Sequence, residues 1–317
     1  MKILITGSKG LIGSALCVAL QRLGIQVVGI DLKEGPGFPQ SGDILDFDLL
    51  KEKISGCHGV VHLAAISRVI TGEKNPALCW ETNVKGTSNV VHAALNSECE
   101  PWVIYASSRE VYGQQKTLPV KESDLVCPVN IYGESKAEAE RIILGARNQG
   151  LSTAILRFSN VYGSVHDYAD RVIPAFCIAA IKQTEMRIDG MEQLFDFTYI
   201  DDVVHGILST IFLLSQPSKV ELPPIHLTTG TPSSLGQVAA IANQAGGNGA
   251  KMVEAPCRSY DVAKFYGDPS LAWKILRWKA CVGVEDGIHR LINHYRLFFQ
   301  ASEIVEVESA LCLSCDF

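Results

Sequence analysis

No stretch of this chain approaches the roughly 20 consecutive apolar residues that a membrane-crossing helix requires, although 47% of its 317 residues are hydrophobic. It also lacks any block of basic residues and carries a net charge of −6. Neither nucleic acid nor an anionic membrane surface is therefore expected as a partner. No signal-peptide pattern precedes the first apolar run after Met1, so a cytoplasmic protein is expected. Grouped cysteines are nearly absent. Cys17, Cys57, Cys79, Cys99, Cys127, Cys177, Cys257 and Cys281 stand singly, as reduced thiols would. Cys312 and Cys315 form one C-x-x-C without the second pair of ligands a zinc site needs, and no metal is expected. Repeats, low-complexity tracts and long Pro/Gly/Ser linkers are missing too. The apolar material thus suits one large α/β body with a smaller appendage.

What is present begins at the first residues. The apolar run Lys2–Thr6 leads into Gly7-Ser8-Lys9-Gly10-Leu11-Ile12-Gly13, a helical stretch to Leu23, and Gln26–Ile30 ending in Asp31. Glycines at 7, 10 and 13 permit a sharp turn, close helix–strand packing, and approach of a pyrophosphate to bare N–H groups at a helix N-terminus, so Gly7, Gly10, Leu11, Ile12 and Gly13 are expected at the cofactor. An acid at the tip of the second strand accepts hydrogen bonds from an adenosine ribose and repels a 2′-phosphate. Asp31 therefore points to NAD over NADP.

Beyond Asp31, β-rich runs alternate with helical stretches: Gly59–Leu63, a helix around Pro76 to Leu95, Pro101–Tyr105, a helix from Gly133 to Arg147, and Thr153–Leu156. Such alternation implies right-handed crossovers and a doubly wound parallel sheet, the Rossmann arrangement. Ala64-Ala65, Ser107-Ser108 and Asn160 are then expected along one crevice at the carboxyl ends of the strands. Later, Asp268-Pro269 suggests the N-cap and first residue of a short helix, and a last helix is expected near Val284 to Leu297. The expected division is a cofactor-binding core over 1–164, with later strands returning to the sheet, a part over 165–300 that mainly binds substrate, and a tail over 301–317.

Tyr132 and Lys136 stand four residues apart at the start of a helix, on one face. The ammonium favours the phenolate form of Tyr132, fitting the phenol for general-base work. Lys136 would also hold the nicotinamide ribose. Upstream, Tyr105–Gly113 ends a strand with hydroxyls at Ser107 and Ser108.

These motifs together resemble the extended short-chain dehydrogenase/reductases of the NAD-dependent epimerase/dehydratase family, which act on nucleotide sugars. The resemblance extends to about residue 295. It implies a catalytic Ser108 with Tyr132 and Lys136. Asp43 and Ile44 resemble an adenine-contacting pair, His62-Leu63-Ala64-Ala65 the turn beside the cofactor, and Asn83 the residue after the fourth strand that steadies the site. Asn160, in Arg157–Gly163, resembles the residue reaching the sugar diphosphate, and Arg258 a nucleotide-sugar arginine. Also implied is a homodimer built from helices near Val84–Leu95 and Gly133–Arg147, with Val90, Ala94 and Ile142 offering part of the face. The implied reaction is epimerisation through a transient 4-keto sugar. Alternatives are 4,6-dehydration, processing of a C6 acid as in decarboxylase-like sites, net oxidation or reduction, and a non-catalytic NAD-binding role.

Two positions depart from the family pattern. Dehydratases carry an acid and then a Glu directly after the catalytic Ser/Thr, whereas this chain has Arg109 and then Glu110. An arginine cannot donate a proton at neutral pH, while Glu110 could still act as a C5 base. Arg109 is either a substrate-carboxylate ligand, which its fork geometry suits, or a loop charge. The second departure is Phe195, where the family usually has an arginine that clamps the diphosphate.

Overall fold

The computed structural model describes residues 1–32, 42–217, 220–257 and 262–313, with side chains described to residue 301. Arg258, and the side chains of Cys312 and Cys315, lie outside the described residues. The chain divides into two compact units.

The first unit comprises Met1–Val161, Leu194–Pro232 and Arg258–Cys281. Its main sheet orders the strands Gln26–Ile30, Lys2–Thr6, Gly59–His62, Trp102–Ser108, Thr153–Phe158 and Ile225–Leu227 side by side, all parallel. The strands read as β-branched, apolar runs because helices cover both faces of such a sheet. Leu4, Val60, Val103, Tyr105 and Ile155 share one core with Val90, Ala94, Ala139 and Ile143. Strand order reverses between Lys2–Thr6 and Gly59–His62, and the crevice beyond their carboxyl ends is where such sheets bind ligands.

The helix expected over Pro76 to Leu95 is a succession of three pieces: Pro76–Trp80, a π-turn over Glu81–Lys85, and Gly86–Leu95. Val90 and Ala94 are fully buried in the sheet core and so cannot form the dimer face expected of them; Ile142 is only partly buried. The next helix, Ile131–Arg147, starts where Asn130 accepts the Gly133 N–H at 2.8 Å, the usual service of an asparagine at this position. At the short helix Ser270–Leu276 the cap is Pro269, one residue later than expected. Asp268 still serves the helix by accepting the Ser270 N–H at 2.9 Å.

The second unit comprises Tyr162–Gln193, Ser233–Cys257 and Val282–Phe317. It packs the helices Val172–Lys182, Leu235–Gly246 and Val284–Leu313 with a parallel strand pair, Glu185–Asp189 and Lys251–Ala255. Ser234 and Gln237 form a reciprocal capping box at the second of these helices. The last helix outruns its expected end at Leu297 because no Gly or Pro interrupts residues 298–313.

Candidate active site

Two of the three loop glycines are required by the fold itself. Gly7 has φ +71°, and a Cβ there would lie 2.7 Å from the Ala64 nitrogen; a Cβ on Gly13 would lie 2.1 Å from the Gly7 oxygen. Gly10 is different. Its backbone is extended, and an added Cβ would meet only the Gly7 oxygen, at 3.3 Å. The helix it opens, Leu11–Arg22, has no side-chain cap and no acid in its first turn. Space and bare N–H groups at a helix N-terminus are what a pyrophosphate needs, so this cradle fits a dinucleotide. Asp31 sits beside it, its Oδ2 accepting the Lys9 N–H at 2.8 Å.

The surrounding loops are held by short-range bonds. Asp43 accepts the Leu45 N–H at 2.9 Å, and Asn89 donates to the Ile44 carbonyl at 3.1 Å. Ile44 packs on Gly86, where a Cβ would lie 2.4 Å from its Cδ1. Leu63 N–H donates to the Thr6 carbonyl, and Ala64 N–H to Thr6 Oγ1 at 3.2 Å; Ala65 follows, half-buried. Beneath them a hydrogen-bonded chain runs through His62, the first residue of that turn. Thr87 Oγ1 donates to the Asn83 carbonyl at 2.6 Å, so it accepts from His62 Nε2 at 3.0 Å. His62 Nδ1 then accepts from Thr6 Oγ1 at 2.7 Å. Burial lowers the His62 pKa to about 3, so the ring is the neutral link this chain requires.

Asn83 follows the third strand of the chain, not the fourth, and sits in the π-turn. Its Oδ1 accepts the Ile66 N–H at 2.8 Å, and its Nδ2 donates to the Ile66 carbonyl and to Ser135 Oγ at 2.9 Å. Ser135 Oγ in turn donates to the Tyr132 carbonyl at 2.8 Å. The residue thus ties the loop after Ala65 to the helix bearing Tyr132 and Lys136.

Lys136 is buried, with Nζ donating to the Ala106 carbonyl at 2.7 Å, 4.8 Å from the Tyr105 ring centre and 5.9 Å from that of Tyr132. Burial lowers its pKa to about 8. The unfolded chain keeps that proton to about pH 10.4. Between those values the unfolded state binds more protons, so stability rises with pH, and the full cost of the buried ammonium is borne below pH 8. Urea unfolding at pH 7 and 9.5 should show this rise, reduced in Lys136→Met; an equal rise in both proteins would assign it to other groups.

Ser108 ends its strand, and its Oγ accepts the Glu110 N–H at 3.2 Å. Glu110 is buried with both oxygens engaged. Oε2 accepts from Asn130 Nδ2 at 2.9 Å, and Oε1 pairs with Arg109 Nη2 at 2.9 Å. Asn130 is also the cap of the Tyr132 helix, so one carboxylate joins the end of the Ser108 strand to the start of that helix. An Asn directly before a helical run was the available sequence signal. Asn160 opens a short strand just past Phe158, half-buried. The two departures from the family pattern lie against each other, with the Arg109 guanidinium 4.6 Å from the Phe195 ring centre.

Behind the strand lies a buried polar network. Glu140 accepts from Ser107 Oγ and from both Nε and Nη2 of Arg157. Arg157 Nη1 donates to Tyr112 Oη at 2.6 Å, and Tyr112 donates to His226 Nε2 at 2.6 Å. Burial lowers the His226 pKa to about 4, leaving that ring a neutral acceptor.

Residues 3–220 match the model of the NAD dependent epimerase/dehydratase family. A UDP-glucose 4-epimerase of Halalkalibacterium halodurans is 29% identical over 304 residues, covering 88% of this chain and 90% of that protein. Among solved structures, the UDP-glucuronic acid 4-epimerase of Bacillus cereus, in complex with UDP-glucuronic acid and NAD, superposes with a TM-score of 0.85 at 26% identity, covering 94% of this chain and all of that one. The UDP-glucose 4-epimerase of Thermotoga maritima, with UDP-glucose, gives 0.87 at 26% identity and the same coverage. No helix among the described residues is long and apolar enough to cross a membrane. With the glycine cradle, the acid at the second strand's tip and the Tyr132–Lys136 pair in one unit, the chain belongs to the NAD-dependent epimerase/dehydratase family.

Proposed function

We propose that this protein is an NAD-dependent epimerase of nucleotide sugars, acting at C4 with Tyr132 as general base. The observation that carries the reading is the placement of Lys136. Its ammonium, anchored on the Ala106 carbonyl, lies under the Tyr132 ring, on a helix whose cap is tied through Glu110 to the Ser108 strand. A cation so placed favours the phenolate. Tyr132 Oη then takes the proton of the sugar's C4 hydroxyl and later returns it, while Ser108 Oγ donates a hydrogen bond to the same sugar oxygen. When bound, NAD would supply the acceptor for the C4 hydride and, once the keto sugar presents its other face, the donor that returns it. The residues assigned to hold it are Gly7, Gly10, Leu11, Ile12 and Gly13 at the pyrophosphate, Asp31 at the ribose, Asp43 and Ile44 at the adenine, and Leu63, Ala64, Ala65, Asn83, Tyr132 and Lys136 around the nicotinamide half. Asn160 and Arg258 are assigned to the sugar nucleotide. Glu110, with both oxygens engaged inside the protein, serves as a positioning group rather than as the C5 base that dehydration requires.

UDP-glucose and UDP-glucuronic acid are the first substrates to test, because similar proteins bind them. Incubation with each should yield an isomer of unchanged mass without added reductant. Loss of one water from the product would make the chain a dehydratase, and tight NAD binding without turnover would make it a binding protein. The reading places the enzyme in the cytoplasm as a homodimer, paired through the outer surfaces of the helices Gly86–Leu95 and Ile131–Arg147, where Leu144 is exposed.

NAD should bind more tightly than NADP, since Asp31 would face the 2′-phosphate charge to charge. Asp31→Ala is expected to narrow the gap by raising affinity for NADP. Equal affinity of the unchanged protein for both dinucleotides, by calorimetry at one ionic strength, would refute the role of Asp31.

A further inference from the structure

Arg109 directly follows Ser108, and its side chain is only 11% exposed. Its guanidinium lies against two aromatic rings, 4.6 Å from the centre of Phe195 and 5.7 Å from that of Phe265. Those rings are register partners on adjacent parallel strands. A guanidinium is purely a donor, with five N–H groups in one plane, and the two rings offer those donors no oxygen or nitrogen acceptor. Nη2 pairs with Glu110 Oε1 at 2.9 Å. Nη1 is buried and has no hydrogen-bond partner among the described residues. Glu110 cannot turn to serve it as well, because its second oxygen accepts from Asn130. Withdrawing an arginine from water is unfavourable unless its donors meet acceptors, and here the fold leaves one edge of the cation unmet.

The two rings flank the guanidinium, Glu110 holds one of its nitrogens, and the unmet Nη1 belongs to the residue next to the catalytic hydroxyl. A planar cation held in this way is suited to the paired oxygens of a carboxylate or phosphate. We propose that Arg109 is an anion anchor of the substrate site, its Nη1 edge taking an oxyanion of the nucleotide sugar, either the carboxylate of a uronic sugar or an oxygen of the diphosphate. The assignment rests on the nucleotide-sugar reading above. It also gives Phe195 a task, as the wall on which the anchoring cation lies.

The test is calorimetric titration of the NAD-loaded protein with UDP-glucuronic acid, UDP-glucose and UDP, for the unchanged chain, Arg109→Met and Arg109→Lys. Arg109→Met keeps an unbranched stem over the rings and removes the charge. It should lose about 10- to 100-fold in affinity for at least one of the three ligands, the usual effect of a charge-assisted hydrogen bond. Arg109→Lys should recover part of the loss, and NAD affinity should stay the same throughout. Loss confined to UDP-glucuronic acid assigns the anchor to the sugar carboxylate; equal loss for all three assigns it to the diphosphate. Unaltered affinities in Arg109→Met overturn the proposal. If the unchanged protein binds none of the three, the nucleotide-sugar reading fails first and the anchor fails with it. Should Arg109→Met unfold because Glu110 is stranded, the double variant Arg109→Met/Glu110→Gln, compared with Glu110→Gln alone, carries the same titration.

Discussion

Tyr132→Phe should bind NAD nearly as well as the unchanged protein and turn over its sugar nucleotide at least about 10²-fold more slowly, the usual effect of a positioned acid–base group. The substitution removes one oxygen. Tyr132 is buried, and its ring lies above the Lys136 ammonium at 5.9 Å, so a phenyl ring keeps the packing. Lys136 keeps its bond to the Ala106 carbonyl, which does not involve the phenol. The helix start is also undisturbed, because its cap is the Asn130 side chain on the Gly133 N–H. What is lost is the only group in the proposed mechanism that moves a proton between enzyme and substrate. The measurement is single-turnover reduction of bound NAD, followed by absorbance, beside a calorimetric NAD affinity. Retention of more than roughly a tenth of the turnover would remove Tyr132 from the role of base. Loss of NAD affinity along with turnover would instead show that the phenol helps to hold the cofactor.

How much of this site can be read from the sequence depends on whether a requirement is local. Gly7 and Gly13 are needed because backbone atoms approach within a Cβ's reach, and this shows in the sequence as glycines at fixed offsets after an apolar run. Tyr132 and Lys136 are legible for a similar reason, since an interval of four on a helix places two side chains on one face. Asn83 is visible only as a motif residue. Its strand of reference cannot be counted from composition, and its bonds reach Ile66 and Ser135, on two different elements. Val90 and Ala94 mislead because an apolar stripe on a helix does not say whether a sheet or a second subunit covers it; here the sheet does. The lock formed by Glu110 and Asn130 joins residues 20 positions apart, and no periodic pattern marks it. Nor does anything in the sequence announce that Arg109 and Phe195, 86 positions apart, are in contact.

The buried pair Arg157–Glu140 should carry the largest stability effect of any surface-distant substitution in the first unit. Both side chains are nearly sealed, at 4% and 5% exposure, with two bonds between them at 2.9 and 2.6 Å. Removing one partner strands the other's charge in a place where water cannot reach it, and breaking such a pair typically costs about 3–5 kcal/mol. Arg157→Met leaves Glu140, among the described residues, with the Ser107 hydroxyl alone and takes the donor from Tyr112 Oη, which Arg157 Nη1 supplies at 2.6 Å. Glu140→Gln keeps the shape and one acceptor oxygen while removing the charge opposite Arg157. Each should lower the unfolding free energy in urea, Arg157→Met by the larger amount. The double variant Arg157→Met/Glu140→Gln removes both charges together and should lose less than the sum of the two singles, because no ion is left unpaired. The network also fixes the strand that ends in Ser108. Ser107 is bonded to Glu140, and Tyr112 closes the turn that carries Arg109 and Glu110. A rise in KM with NAD affinity unchanged should therefore accompany the loss of stability in whichever single variants still fold. If Arg157→Met unfolds within about 1 kcal/mol of the unchanged protein, the pair is solvated in solution and the network does not hold the strand end in place.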